Sequence, residues 1–177
     1  MLPRSGSPGV EHVKRVYQVC LIIGKALEAD LETLLSAAIL HDIGRTGSRA
    51  SHAKESTRIS KKLLLNTGHS ISKIKMIFDA IVSHSYEGAE APKTLEAKIL
   101  SDADKLHTLG SVGIYRAAAH AAEEGRSIRD LVNHFHEKLL QLPELMYTQT
   151  ARDMAFRRKV FMVKYLDKLE QELRFQA

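Results

Sequence analysis

His41 and Asp42 stand side by side at the end of an apolar, alanine-rich stretch, in the run Leu40-His41-Asp42-Ile43-Gly44. A hydrophobic helix has no reason of its own to finish on two ionisable groups. Burying an unpaired carboxylate is costly, so Asp42 needs a cation, hydrogen-bond donors or water. Imidazole plus carboxylate is a good ligand pair for a divalent ion, and His12, His84 and the cluster Asp102-Ala103-Asp104 are further candidates. Nitrogen from His12 and His41 with oxygen from Asp42 and Asp104 gives a mixed shell with positions left for water. Such a shell suits Mn, Fe, Co, Ni, catalytic Zn or Mg rather than the closed thiolate sites of structural zinc, and affinity ordering keeps the sequence from naming the metal. Each feature alone has an ordinary reading: a capping histidine, a hydrogen-bonded pair at a helix end, a solvated acidic turn. Their joint occurrence points to a metal centre built from distant segments.

The elements that must position these groups are helical, and no segment shows convincing alternation of period two. Val10 to about Glu28 places Val13, Val16, Tyr17, Cys20, Ile23 and Leu27 on one stripe. Asp30 is an N-cap for a second helix carrying Leu31, Leu34, Leu35, Ala38 and Ile39, which stops at Gly44. A polar loop spans residues 45–51, and Ser51 caps a third helix from His52 to Leu65. Ser70 and Ser72 open a fourth that runs to His84; after the loop 85–92 a fifth extends from Thr94 through Leu106. Gly110 and Gly113 interrupt the next apolar stretch, Gly125 precedes a helix near Ser127 to Leu140, and Pro143 breaks the chain. A long amphipathic helix from about Tyr147 to Phe175 turns Met154, Phe161, Tyr165, Leu166, Leu169 and Leu173 toward the core or a partner. His12 thus starts one helix, His41 and Asp42 end another, His84 ends a third, and Asp104 lies near the end of a fourth. Antiparallel neighbours joined by short loops bring such ends together. Consecutive helical residues point about 100° apart, so His41 and Asp42 share a target most easily at a fraying terminus.

Composition fits this reading. With 6% aromatics, no Trp and 44% hydrophobic residues over 177 positions, the chain reads as one all-α domain, a compact helical bundle. Residues 1–9 read as a flexible lead-in and 10–177 as the folded domain. The single cysteine, Cys20, sits in an apolar run as a buried hydrophobe and suits a reducing, cytoplasmic setting. No apolar stretch approaches the roughly 20 residues of a membrane span. The net charge of +5 permits anionic partners, but without a basic tract or interleaved aromatics it favours a small phosphorylated substrate over nucleic acid.

The ordered segments Glu11-His12-Val13-Lys14-Arg15-Val16, Ala38-Ile39-Leu40-His41-Asp42-Ile43-Gly44 and Leu100-Ser101-Asp102-Ala103-Asp104-Lys105-Leu106 resemble the HD-domain metal-dependent phosphohydrolase superfamily. The similarity is greatest to its small stand-alone bacterial and archaeal type, shared also by residues 51–56, 81–85, 93–100 and 150–155. The resemblance implies an HD-type helical fold and hydrolysis of a phosphate ester or anhydride, of a nucleotide or related compound, through a metal-activated water. It implies His12, His41, Asp42 and Asp104 as ligands, selecting Asp104 because a basic residue and Leu follow it, with Asp102 as a supporting or alternate group. Arg45 and Lys105 are the candidates for phosphate contact. His52 and His84 are candidates either to protonate the leaving oxygen and position water or to help hold a second metal. Alarmone hydrolases of the superfamily carry an acidic pair soon after the HD dipeptide where this chain has Arg45-Thr46, which argues against that activity. A cyclic- or dinucleotide phosphodiesterase, and a non-catalytic module that binds a nucleotide or a partner protein, are the alternatives. Oligomeric state stays open, a homo-oligomer included.

Overall fold

Short polar residues set the starts of the helices that carry the candidate centre. In the computed structural model Asp30 caps α2 (Leu31–Leu40), its carboxylate accepting from the N–H groups of Glu32 and Thr33. Its own N–H donates to Oε1 of the buried Glu96 at 3.0 Å, tying the start of α2 to a distant segment. Ser70 caps α4 (Ile71–Ser83), accepting from Lys73 N–H, and the Lys73 ammonium meets the carboxylates of Asp30 and Glu32. The structure describes residues 9–44, 52–65, 68–84 and 91–175, except the side chains at 52–55 and 57. Within them the remaining helices are α1 (Val10–Ala26), α3 (His52–Leu64), α5 (Leu95–His107), α6 (Gly110–Glu123), α7 (Ile128–Glu137) and α8 (Gln149–Leu173). The fold is all-α, with no strand among the described residues, and no described helix is long and apolar enough to cross a membrane.

The chain divides into two compact units, Met1–Asp104 and Lys105–Ala177. In the first, α2 packs on α1 and α4, and α4 on α3. Val16, Cys20, Leu34, Ile77, Ile81 and Ile99 are wholly buried there. Gly24 lets α1 and α2 approach, since a Cβ on it would lie 2.7 Å from Leu34 Cδ2 and 2.9 Å from Leu31 Cδ2. In the second unit α6 packs on α7 and α8, and a 3-10 segment, Leu139–Leu145, packs on both α7 and α8. Ser127 and Asp130 form a reciprocal capping box at the start of α7.

Three sequence expectations are corrected. The α-helix of α2 ends at Leu40 rather than running to Gly44, because Ile43 N–H closes a tighter turn onto Leu40 O at 3.2 Å. Gly110 and Gly113 do not interrupt a helix: Gly110, at φ +75, opens α6, and Gly113 lies inside it. Pro143 sits within the 3-10 segment instead of breaking the chain. Of the α8 residues expected to face the core or a partner, Leu166 is buried and Phe161 and Leu173 are exposed, and Ala151, Ala155 and Met162 complete the buried face. Two alanines let this helix pack closely, so small side chains rather than the largest ones mark its inner face. The expected cap at Ser51 lies outside the described residues.

Gly113 makes a direct test of this packing. A Cβ there would stand 2.1 Å from the Thr108 carbonyl oxygen, a backbone atom that cannot swing aside. Gly113→Ala is expected to cost about 2–4 kcal/mol, read as a lower urea midpoint.

Candidate metal centre

The turn that follows α2 delivers both residues of the His-Asp pair to one place. His41 keeps helical backbone angles as the C-cap of α2 and donates Nδ1–H to Ala38 O at 2.8 Å. His84 does the same at the end of α4, donating Nδ1–H to Ile81 O at 2.5 Å. A carbonyl only accepts, so each ring carries its proton on Nδ1 and, when neutral, presents Nε2 as a lone pair. Burial pushes the His41 imidazole down to about 4, with His84 acting in the same direction against Asp42 and Asp104, so that ring is neutral near pH 7.

His12, buried on the first turn of α1, brings Nε2 to 3.0 Å from His41 Nε2, 3.3 Å from Asp42 Oδ2 and 3.5 Å from Asp104 Oδ1. Asp42 Oδ2 lies 3.7 Å from His41 Nε2, and Asp42 Oδ1 lies 3.9 Å from His84 Nε2. Around an ion with bonds of about 2.1 Å, ligand atoms at right angles stand about 3.0 Å apart and opposed ones about 4.2 Å. The observed separations fall within that span, and the donors are imidazole nitrogen and carboxylate oxygen, so the set fits a divalent ion. Two groups satisfy the spacing, His12 with His41 and Asp104, and His41 with Asp42 and His84, each with ligand atoms within 4.8 Å of one another.

The electrostatics agree with a cation-seeking cluster. Burial pushes the Asp104 carboxyl up, but the imidazoles of His12, His84 and His41 outweigh it and hold the group below its ordinary value, hence ionised. Cys20 lies beneath the cluster, where burial and the charges of Asp104 and Asp102 drive its thiol far up; it stays a neutral thiol and offers no thiolate ligand.

Of the other sequence candidates, Asp102 and Lys105 lie within the described residues. Asp102 is fully buried on α5, and it is Asp104 whose oxygen stands among the ligand atoms. Lys105 is buried with Nζ 4.6 Å from the centroid of the Tyr147 ring, a cation–π contact. His52 begins α3, its side chain lying outside the described residues, as does all of Arg45.

Ser56 was not singled out by sequence. Fully buried on α3, it accepts the Gly44 N–H through Oγ at 2.9 Å and so pins the end of the turn that carries Asp42. A serine inside a polar helix gives no sequence signal for such a bond. Ser56→Ala orphans a buried N–H and is expected to cost about 1–3 kcal/mol in the metal-free protein, read by urea unfolding.

Comparison with known proteins agrees with this geometry. The sequence matches the HD domain family over residues 9–109. The chain belongs to that family. It is 29% identical to YpgQ of Bacillus subtilis over 170 residues, 92% of this chain and 82% of that protein. The crystal structure of YpgQ in complex with ADP aligns with TM-score 0.76 at 29% identity, over 92% of this chain and 85% of that one. An HD-superfamily hydrolase from Bacillus thuringiensis aligns with TM-score 0.77 at 26% identity, over 93% and 85% of the two chains. A predicted HD-superfamily hydrolase from an uncultured Thermotogales bacterium aligns with TM-score 0.68 at 30% identity, over 93% and 80%. The fold is thus that of HD-superfamily hydrolases, with a cluster suited to a divalent metal.

Proposed function

We propose that this protein is a metal-dependent phosphohydrolase that cleaves a phosphate ester or anhydride bond of a nucleotide or a related small molecule. The observation that carries the reading is that His12 Nε2 stands 3.0 Å from His41 Nε2, 3.3 Å from Asp42 Oδ2 and 3.5 Å from Asp104 Oδ1, spacings suited to ligands of a metal ion. These four are the proposed ligands. The ion they would hold lowers the pKa of a bound water and polarises a phosphoryl oxygen. Everything else falls to the chain: holding the ligands rigid, excluding bulk water, placing the phosphate and supplying a proton to the leaving oxygen.

Rigidity comes from the Ala38 carbonyl, which fixes the His41 ring, and from Ser56, which holds the turn. The proton is assigned to His84, at the edge of the cluster beside Asp42 Oδ1, with His52 and Asp102 as supporting candidates. Phosphate contact is assigned to Arg45, three residues past Asp42, and to Lys105. Arg45 is the stronger of the two, since the Lys105 charge already faces Tyr147. A nucleotide is favoured because the related YpgQ has been crystallised with ADP.

Metal analysis of the purified protein, followed by a nucleotide panel assayed with each divalent ion, tests the proposal. Release of phosphate or pyrophosphate that a chelator stops and one divalent ion restores is the expected result. A metal-loaded protein that turns over no member of the panel would leave the non-catalytic binding module as the better description.

A further inference from the structure

Acids and bases are unevenly spread along this chain. Between Ser56 and Phe78 there is no Asp or Glu, while Arg58, Lys61, Lys62, Lys73 and Lys75 all fall there. Of 26 lysines and arginines these are five, which leaves 21 against the chain's 21 acids, so the net charge of +5 resides in this run. The run forms the end of α3 and the start of α4, which pack on each other. Two consecutive helices packed in this way place the end of the first beside the start of the second. At that end Leu63 is 48% exposed, Leu65 62% and Ile71 86%. Ser56, Ser60 and Leu64 form the buried face of α3, and Leu63 and Leu65 lie off it. Lys73 is held by Asp30 and Glu32, and His69 by Glu32, so the charge of the tip is carried by Arg58, Lys61, Lys62 and Lys75, all exposed.

We infer that this helix tip docks on an anionic lipid bilayer, with Leu65 and Ile71 entering the acyl boundary and the cations meeting lipid phosphates. An aliphatic side chain held in water gains on entering hydrocarbon. Ile71 has almost nothing around it, so it protrudes instead of lining a groove. A protruding apolar tip suits a deformable bilayer better than a protein partner, which would need a matching pocket. Nucleic acid is a poorer fit, because residues 58–75 contain no Phe, Tyr or Trp to stack on bases. Each cation near an anionic surface strengthens binding about fivefold, and salt screens the effect. Two or three aliphatic side chains hold a bilayer weakly, and the cations supply the second signal that makes the contact stable. Such binding is peripheral, in keeping with described helices of which none is long and apolar enough to cross a membrane.

Flotation of the full chain with vesicles of phosphatidylglycerol and phosphatidylcholine in equal parts, beside vesicles of phosphatidylcholine alone, tests the inference. The protein is expected to float with the first and not with the second, and salt at about 0.5 M to release it. Leu65→Ser with Ile71→Ser, and separately Lys61→Gln with Lys62→Gln, are expected to weaken binding about tenfold or more. All four positions are exposed, so circular dichroism should match the parent. The chain has no Trp, so Ile71→Trp adds a single reporter. Its emission should shift to the blue with anionic vesicles and be quenched by bromine on the lipid chains. Absence of flotation overturns the inference. So does flotation that the Leu65 and Ile71 changes leave undiminished, or an Ile71→Trp reporter that stays unquenched while the protein floats. A DNA duplex bound while vesicles are not, or a dimer in sedimentation that Leu65→Ser with Ile71→Ser converts to monomer, overturns it and names the other occupant.

Discussion

Replacing Asp42 with alanine is expected to empty the centre of metal and to lower turnover more than about 100-fold, beyond the loss typical of supporting groups around a metal. Asp42 faces three imidazoles: its Oδ2 lies 3.3 Å from His12 and 3.7 Å from His41, and its Oδ1 lies 3.9 Å from His84. It belongs with His41 and His84 to one of the two ligand groups and touches His12 of the other. Removing it takes away one of the two anionic ligands and leaves the imidazoles with Asp104 alone to balance the charge of a divalent ion. The helices should survive, because Asp42 lies in the turn after α2, and the Ala38 and Ser56 bonds that shape this turn are untouched. Circular dichroism should therefore match the parent while mass-spectrometric metal analysis and the nucleotide assay fall together. Parental metal content with a parental rate would show that the ion and the chemistry reside elsewhere.

The sequence made the candidate cluster legible because metal-ligating chemistry is a matter of residue type. An imidazole–carboxylate pair ending an apolar run, with His12 and Asp104 at other helix ends, has few cheaper explanations. Helix starts were legible for a similar reason, since Asp30, Ser70 and Ser127 satisfy N–H groups within their own first turn. What depends on distant packing was not. Periodicity names an apolar stripe without saying what covers it, so core and exposed surface look alike at Ile39, which is exposed beside the buried Ala38. It also weights large side chains, so it passes over Ala151 and Ala155, which are wholly buried on α8, while Phe161 is exposed. The turn at 41–44 escaped notice because Gly44 is a good helix stop, whereas the α-helix ends at Leu40 and Ile43 N–H closes a tighter turn onto Leu40 O. That departure answers the geometric objection to two consecutive residues sharing a target.

His84 separates a proton-donating role from a metal-holding one, and substitution by alanine is expected to lower kcat by about two to four decades while metal content stays at the parental level. The geometry admits both roles, since His84 Nε2 stands 3.9 Å from Asp42 Oδ1 and belongs to a ligand group with His41 and Asp42. The balance favours the proton. His84 Nε2 stands 3.9 Å from Asp42 Oδ1, whereas His12, His41, Asp42 and Asp104 are linked by separations of 3.0–3.7 Å. The Ile81 carbonyl holds Nδ1–H, so a second proton on Nε2 makes a cation that Asp42 stabilises and a leaving oxygen can deprotonate. A residue acting this way contributes to the barrier more than to substrate affinity, so kcat should fall with KM little changed. A substrate with a good leaving group, such as a nitrophenyl phosphate, needs less protonation and should lose correspondingly less. If His84→Ala instead halves the metal content and the lost rate returns at high metal concentration, His84 is a ligand and the centre holds two ions.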